Sequence, residues 1–219
     1  MLVHRLRPIV LLPSAPAPVR RRRSLRLAPE DTPTANGFEP AGDCTGAEPR
    51  YLPGMITIRT ATASDQEPLG RFGGALMRQH HTADPRRFLH VEQPEAGYGR
   101  FLVSQLANPN SLVMVAEQSG AVIGYVFADV EATNWMELRG PCGVVHDIYV
   151  DESARRSGAG RELMRAAIAW IRSKDRSQTV LLTKTANVHA QHLFSTLGFR
   201  PTMIEMTLDE SSEEEGGNG

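Results

Sequence analysis

The chain has 219 residues, 41% of them apolar and 22% charged, with a formal net charge of −1, which is ordinary globular composition. So small a charge gives no field to draw the whole chain to nucleic acid or an anionic membrane, and no apolar run approaches the ~20 residues that span a bilayer. The two cysteines, Cys44 and Cys142, are too few for a disulfide framework or a cysteine metal motif, which fits a reducing, cytoplasmic setting and a site without metal.

Residues 1–54 are rich in proline and arginine and carry no sustained helical or strand periodicity, so they are expected to form a disordered extension. The Arg20-Arg21-Arg22-Arg23 run, with no acid before Glu30, also fits a targeting peptide. Met55 opens the first strand-like run, Met55-Ile56-Thr57-Ile58-Arg59, and is a candidate natural start. Residues 55–208 then form a single domain, and 209–219, acidic and glycine-rich, a solvated tail.

Within the domain, Ser64-Asp65 followed by Leu69, Phe72, Ala75 and Leu76 predicts a capped helix with one apolar face, weakened by Gly70, Gly73 and Gly74. A second helix is expected over 95–107, with Tyr98, Phe101, Leu102 and Leu106 on one side, ending at Asn108-Pro109-Asn110. Strands over 112–117 and 122–130 flank the turn Gln118-Ser119-Gly120. A strand over 143–150, a helix over 160–173, a strand over 179–184, a helix over 187–197 and a last strand through Met203–Leu208 follow. Hairpins first and β-α-β crossovers later imply an α/β (α+β) fold, a mixed sheet with helices on both faces.

Between the strand ending at Val150 and the helix near Gly160 lies Arg155-Arg156-Ser157-Gly158-Ala159-Gly160-Arg161. Its glycines let the backbone turn tightly and approach an anion, the first helical turn offers unpaired N–H groups, and the arginines add charge-assisted bonds. That is the chemistry of a pyrophosphate cradle. The same residues also fit a solvated turn that caps a helix, and taken alone they leave both readings open.

Strand 143–150, Arg155-x-x-Gly158-x-Gly160, an amphipathic helix, a strand, then Asn187-x-x-Ala190-x-x-Leu193-Phe194-x-x-x-Gly198-Phe199 together resemble the GCN5-related N-acetyltransferase (GNAT) family. The resemblance implies a twisted mixed sheet splayed at its fourth strand, with acetyl-CoA bound as co-substrate in the cleft. It implies that the backbone of Ile148, Tyr149 and Val150 holds the pantetheine arm, that residues 155–161 hold the pyrophosphate, and that Asn187 contacts the arm from the other side. It implies acetyl transfer to a primary amine, on a small molecule or a protein, and a homodimer. Phe194 departs from the pattern, because the family often has there a tyrosine that protonates the leaving thiolate. A non-catalytic acyl-CoA sensor is the alternative that this departure favours.

His146 and Asp147 are adjacent polar residues in an otherwise apolar strand, and are the candidate catalytic pair: an imidazole that titrates near neutrality, and a carboxylate for the substrate ammonium. Neighbouring strand residues point to opposite faces, so both reach one cleft only if a bulge intervenes. His80, His81, Arg86 and Arg87 lie in a connection that forms part of the acceptor pocket in the family, although they read first as solvated loop residues, with acceptor recognition second.

Overall fold

In the computed structural model, residues 54–209 are described. The expected extension and most of the acidic tail lie outside them. β1 (Ile56–Thr60) leads through a 3-10 turn at Ala63–Asp65 into α1 (Gln66–Ala83) and α2 (Glu95–Gln105). β2 (Ser111–Gln118), β3 (Ala121–Glu131) and β4 (Cys142–Val150) follow, then α3 (Ala159–Ser173), β5 (Thr179–Leu181) and α4 (Val188–Thr196). The sheet order is β1-β2-β3-β4-β5, antiparallel except for the parallel β4–β5 pair, so the sheet is mixed.

Each face of the sheet carries its own core. α3 presents Leu163, Met164, Ala167 and Ile171, all fully buried, to Ala116, Val126, Ala128 and Val145, and Phe194 of α4 closes that layer. These positions follow the i, i+3, i+4 spacing of a core-facing helix, and Arg161, Arg165 and Arg172 on its far side are exposed. On the opposite face Leu69 and Phe72 of α1 and Leu102 of α2 pack on Val113, Val115, Tyr125, Phe127 and Tyr149. Alternation along β3 sends Tyr125 and Phe127 to one layer and Val126 and Ala128 to the other.

The start of α1 is anchored electrostatically. Arg59 donates from Nη1 and Nη2 to both carboxylate oxygens of Asp65 at 2.8 Å, and from Nε to Glu117 at 2.8 Å. The hydrogen-bonded Arg59 guanidinium, more than the Thr62 donors, holds the buried Asp65 carboxyl at about 2, below its usual 3.8. A depressed folded-state value stabilises the protein above the unfolded value, and that stabilisation disappears as pH falls through the folded one. A shift of this size is worth about 2 kcal/mol. Asp65→Asn is therefore expected to lower Tm at neutral pH and to flatten the fall in Tm between about pH 5 and pH 2, as followed by thermal melts across that range.

The sequence reading departs from the structure at the C-terminal side. β5 is only Thr179–Leu181, with Leu182 exposed, and no strand forms over Met203–Leu208. Met203, Ile204, Met206 and Leu208 are all at least 80% exposed. Their strand propensity finds no hydrogen-bonded partner, and a strand exists only as a member of a ladder. The element order therefore ends on α4.

Candidate active site

β4 pairs with β5 only from Gly143↔Thr179 to Val145↔Leu181, so its second half has no strand neighbour on that side among the described residues. This is the splay that the resemblance implied. The Asp151 N–H donates to Ile123 at 2.8 Å, and alternation then turns the backbone groups of Tyr149 toward β3 and those of Ile148 and Val150 into the open side. Of the three residues expected to offer backbone to a pantetheine arm, Ile148 and Val150 are so placed and Tyr149 is not. Tyr149 instead buries its ring against Phe72, with centroids 5.5 Å apart.

The turn after β4 is shaped by two residues at positive φ, Arg156 at 66° and Gly158 at 97°. Gly158 is the N-cap of α3, in a left-handed conformation that costs glycine nothing. The Ser157 hydroxyl accepts from the Ala159 N–H at 3.3 Å, while the N–H groups of Arg156, Gly158 and Gly160 have no acceptor among the described residues. Three unpaired donors at the positive end of a 15-residue helix fit a phosphate group. Arg155, Arg156 and Arg161 are exposed around them. Arg155 donates from Nε to the Val150 carbonyl at 3.4 Å, and Arg161 from Nη2 to the Thr196 hydroxyl at 3.4 Å.

Asn187 is the N-cap of α4, its side-chain oxygen accepting from the Ala190 N–H at 3.2 Å, which leaves its amide N–H₂ free for a ligand. Phe194 is buried in the α3-side core, edge-on to Phe199 at 6.0 Å, so the ring serves packing first.

A bulge in β4 settles how His146 and Asp147 are presented. Phe127 pairs with Asp147 and Ala128 with Val145, so His146 is the extra residue. Both side chains consequently reach the α1/α2 face. His146 stacks on Phe127 with centroids 5.0 Å apart and directs Nε2 at Asp129 Oδ2, 3.3 Å away. Asp129 Oδ1 is buried without a hydrogen-bond partner among the described residues.

Asp147 Oδ2 accepts hydrogen bonds from two phenols, Tyr98 and, at 3.2 Å, Tyr125. Burial and then the Asp147 charge push both phenols well above their usual value, so both remain protonated donors. Asp147 Oδ1 has no hydrogen-bond partner among the described residues. Asp147 lines an open pocket of about 200 Å³ together with Leu76, Met77, His80, Phe88, Leu89 and Tyr98. His80 Nδ1 donates to the Leu76 carbonyl at 2.8 Å, which leaves Nε2 as the basic nitrogen of the neutral ring. His81 Nδ1 donates to the Phe88 carbonyl at 2.9 Å and so ties down the loop that brings Phe88 and Leu89 over the pocket. His146 is not among the lining residues. No cluster of three or more His, Cys, Asp or Glu that could hold a metal occurs among the described residues.

Sequence reasoning did not pick out Tyr98, Tyr125 or Asp129. Tyr98 reads as one more aromatic on an apolar face, whereas Asp129 carried a usable signal, an acid in phase with Tyr125 and Phe127 on an apolar strand. The glycines that seemed to weaken α1 create this site. A Cβ on Gly73 would lie 2.0 Å from the Tyr98 ring, and one on Gly70 would lie 2.3 Å from the Glu95 carbonyl oxygen. Gly73→Ala is expected to displace Tyr98 from Asp147 and to destabilise the fold by about 2 kcal/mol, as followed by denaturant melts.

A profile of the Acetyltransferase (GNAT) family matches residues 75–199, and the chain belongs to that family. A mycothiol acetyltransferase of Thermobispora bispora is 35% identical over 92 residues, 42% of this chain and 31% of that protein. The chain thus spans about a third of that relative. Among solved structures, the tetramutant of the BH1408 protein of Bacillus halodurans is similar with a TM-score of 0.62 at 22% identity, over 70% of this chain and 99% of that one. An aminoglycoside N-acetyltransferase, AAC(6')-Iy, solved in complex with CoA, is similar with a TM-score of 0.55 at 18% identity, over 72% and 95% of the two chains. At such identities these structures share the fold. No helix among the described residues is long and apolar enough to cross a membrane.

Proposed function

We propose that this protein transfers the acetyl group of acetyl-CoA to a primary amine seated over Asp147. The observation that carries the reading is the Asp147 carboxylate itself: held by two phenols, free at Oδ1, and placed beside the open half of β4. The unpaired donors at 156, 158 and 160 bind the pyrophosphate, and the outward backbone of Ile148 and Val150 holds the arm as an added strand, with the Asn187 amide opposite. Asp147 pairs with the incoming ammonium and orients its nitrogen.

The ammonium must lose a proton before its lone pair can attack. His146, next to Asp147 on the bulged strand but outside the pocket lining, takes that proton through a water and passes it to solvent. The nitrogen then bonds to the thioester carbon, a backbone N–H of the splayed strand stabilises the oxyanion, and as the oxyanion collapses the carbon–sulfur bond breaks and the nitrogen gives up its second proton to solvent. Phe194 donates no proton, and none is required, because a thiolate with a pKa near ~8.5 leaves readily and is protonated by water.

Release of free thiol from acetyl-CoA, with a panel of primary amines, tests the activity. Binding of acetyl-CoA without thiol release on any amine would identify a sensor instead. His146→Ala is expected to lower kcat and shift the acidic limb of the pH–rate profile. An unshifted limb would move the proton-accepting role to His80, the other imidazole beside Asp147.

A further inference from the structure

We infer that the acceptor is a compact amine with a single positive charge and an apolar body, such as an arylalkyl or branched alkyl amine. This rests on the acetyl-transfer reading and names the substrate class for the same site. Three observations carry it. The first is size: the pocket of about 200 Å³, open to solvent, falls below the ~300–1,000 Å³ that hold drug-sized ligands, so its walls enclose only a small acceptor group.

The second is charge. Asp147 is the only carboxylate among the lining residues, and its single unpartnered oxygen serves one ammonium. Three further acids are ion-paired with arginines of α1 and of the loop that follows it: Glu95 with Arg78, Glu205 with Arg87, and Asp209 with Arg86 at 3.6 Å. A second ammonium on the substrate would meet His80 Nε2 and apolar walls, and would lose its hydration without a partner.

The third is the character of those walls. Leu76, Met77, Phe88 and Leu89 supply aliphatic and aromatic carbon from two sides. Leu89, in the loop tied down by His81, is 71% exposed and adds its apolar side chain to the open side of the pocket. Charge at one end and hydrocarbon around the rest select an amphiphile.

The test uses the full chain. Calorimetry first measures binding of acetyl-CoA and, separately, of 2-phenylethylamine, 3-methylbutylamine, spermidine, kanamycin and a lysine-containing peptide. Thiol release with the same five amines follows. Either apolar monoamine is expected to exceed spermidine, kanamycin and the peptide at least tenfold in kcat/KM. Equal or greater use of any of those three overturns the inference, as does binding of neither monoamine. Failure of acetyl-CoA to bind while a monoamine binds would reject the acetyl-transfer reading and leave the pocket assignment standing.

Leu89→Glu adds a carboxylate at an exposed position where the fold tolerates it. It is expected to lower kcat/KM for the monoamines about tenfold and to narrow their advantage over spermidine, with acetyl-CoA affinity unchanged. An unchanged ratio of monoamine to spermidine would show that Leu89 does not meet the acceptor and would overturn the inference.

Discussion

Asp147→Asn is expected to lower kcat/KM for the amine by about 100-fold or more while leaving acetyl-CoA affinity unchanged, because truncating one partner of a desolvated charge pair costs ~2–5 kcal/mol. Asparagine keeps the shape and still accepts the two phenolic hydrogen bonds, so Tyr98 and Tyr125 remain satisfied and the fold is preserved. What disappears is the charge that meets the ammonium at Oδ1. The loss should fall mainly on KM if Asp147 only binds the amine, and on both constants if it also aligns the nitrogen for attack. Steady-state kinetics on wild type and Asp147→Asn, with calorimetry of acetyl-CoA, decide the matter. A change of less than threefold would remove Asp147 from the site.

What could be read in the sequence was what is local along the chain. The stripe Leu163, Met164, Ala167 and Ile171 declares a buried helical face within a few turns, and the glycine turn that caps this helix stands in the seven consecutive residues Arg155–Arg161. The pocket at Asp147 is assembled from α1, the 84–94 loop, α2 and β4; Asp147 and His80 stand out singly in the sequence, but no one segment shows that they face the same space. The bulge at His146 was stated as a condition, not an expectation, because a one-residue register shift depends on the partner strand. Gly70 and Gly73 misled for a related reason. Their helix penalty is local and visible, whereas the contacts that they permit with Glu95 and Tyr98 arise only on packing. The strand expected over Met203–Leu208 failed in the same way: its residue types favour extension, but a ladder partner is a tertiary fact.

Gly160→Asp should weaken acetyl-CoA binding about 100-fold, with Gly160→Ala staying within about threefold of wild type. The pair of variants separates charge from bulk. A Cβ at 160 meets only Leu193 Cδ2 at 3.5 Å and Val150 Cγ2 at 3.7 Å, both ordinary contacts, so alanine fits without displacing anything. Gly158 would be a poorer choice, since its φ of 97° strains any side chain and confounds folding with binding. An acid in the first turn of α3 complements the helix dipole, so the aspartate variant should melt no lower than wild type. The carboxylate, however, would take the position that a phosphate needs. Two like unit charges about 4 Å apart repel by roughly 4 kcal/mol at an effective dielectric constant near 20, and solvent at this exposed turn reduces that toward the ~3 kcal/mol that corresponds to 100-fold. Raising the salt concentration should narrow the gap between the two variants, as screening requires. Calorimetry with acetyl-CoA at two ionic strengths reads all of these quantities, and equal affinity for the aspartate and alanine variants would place the pyrophosphate away from the 155–161 turn.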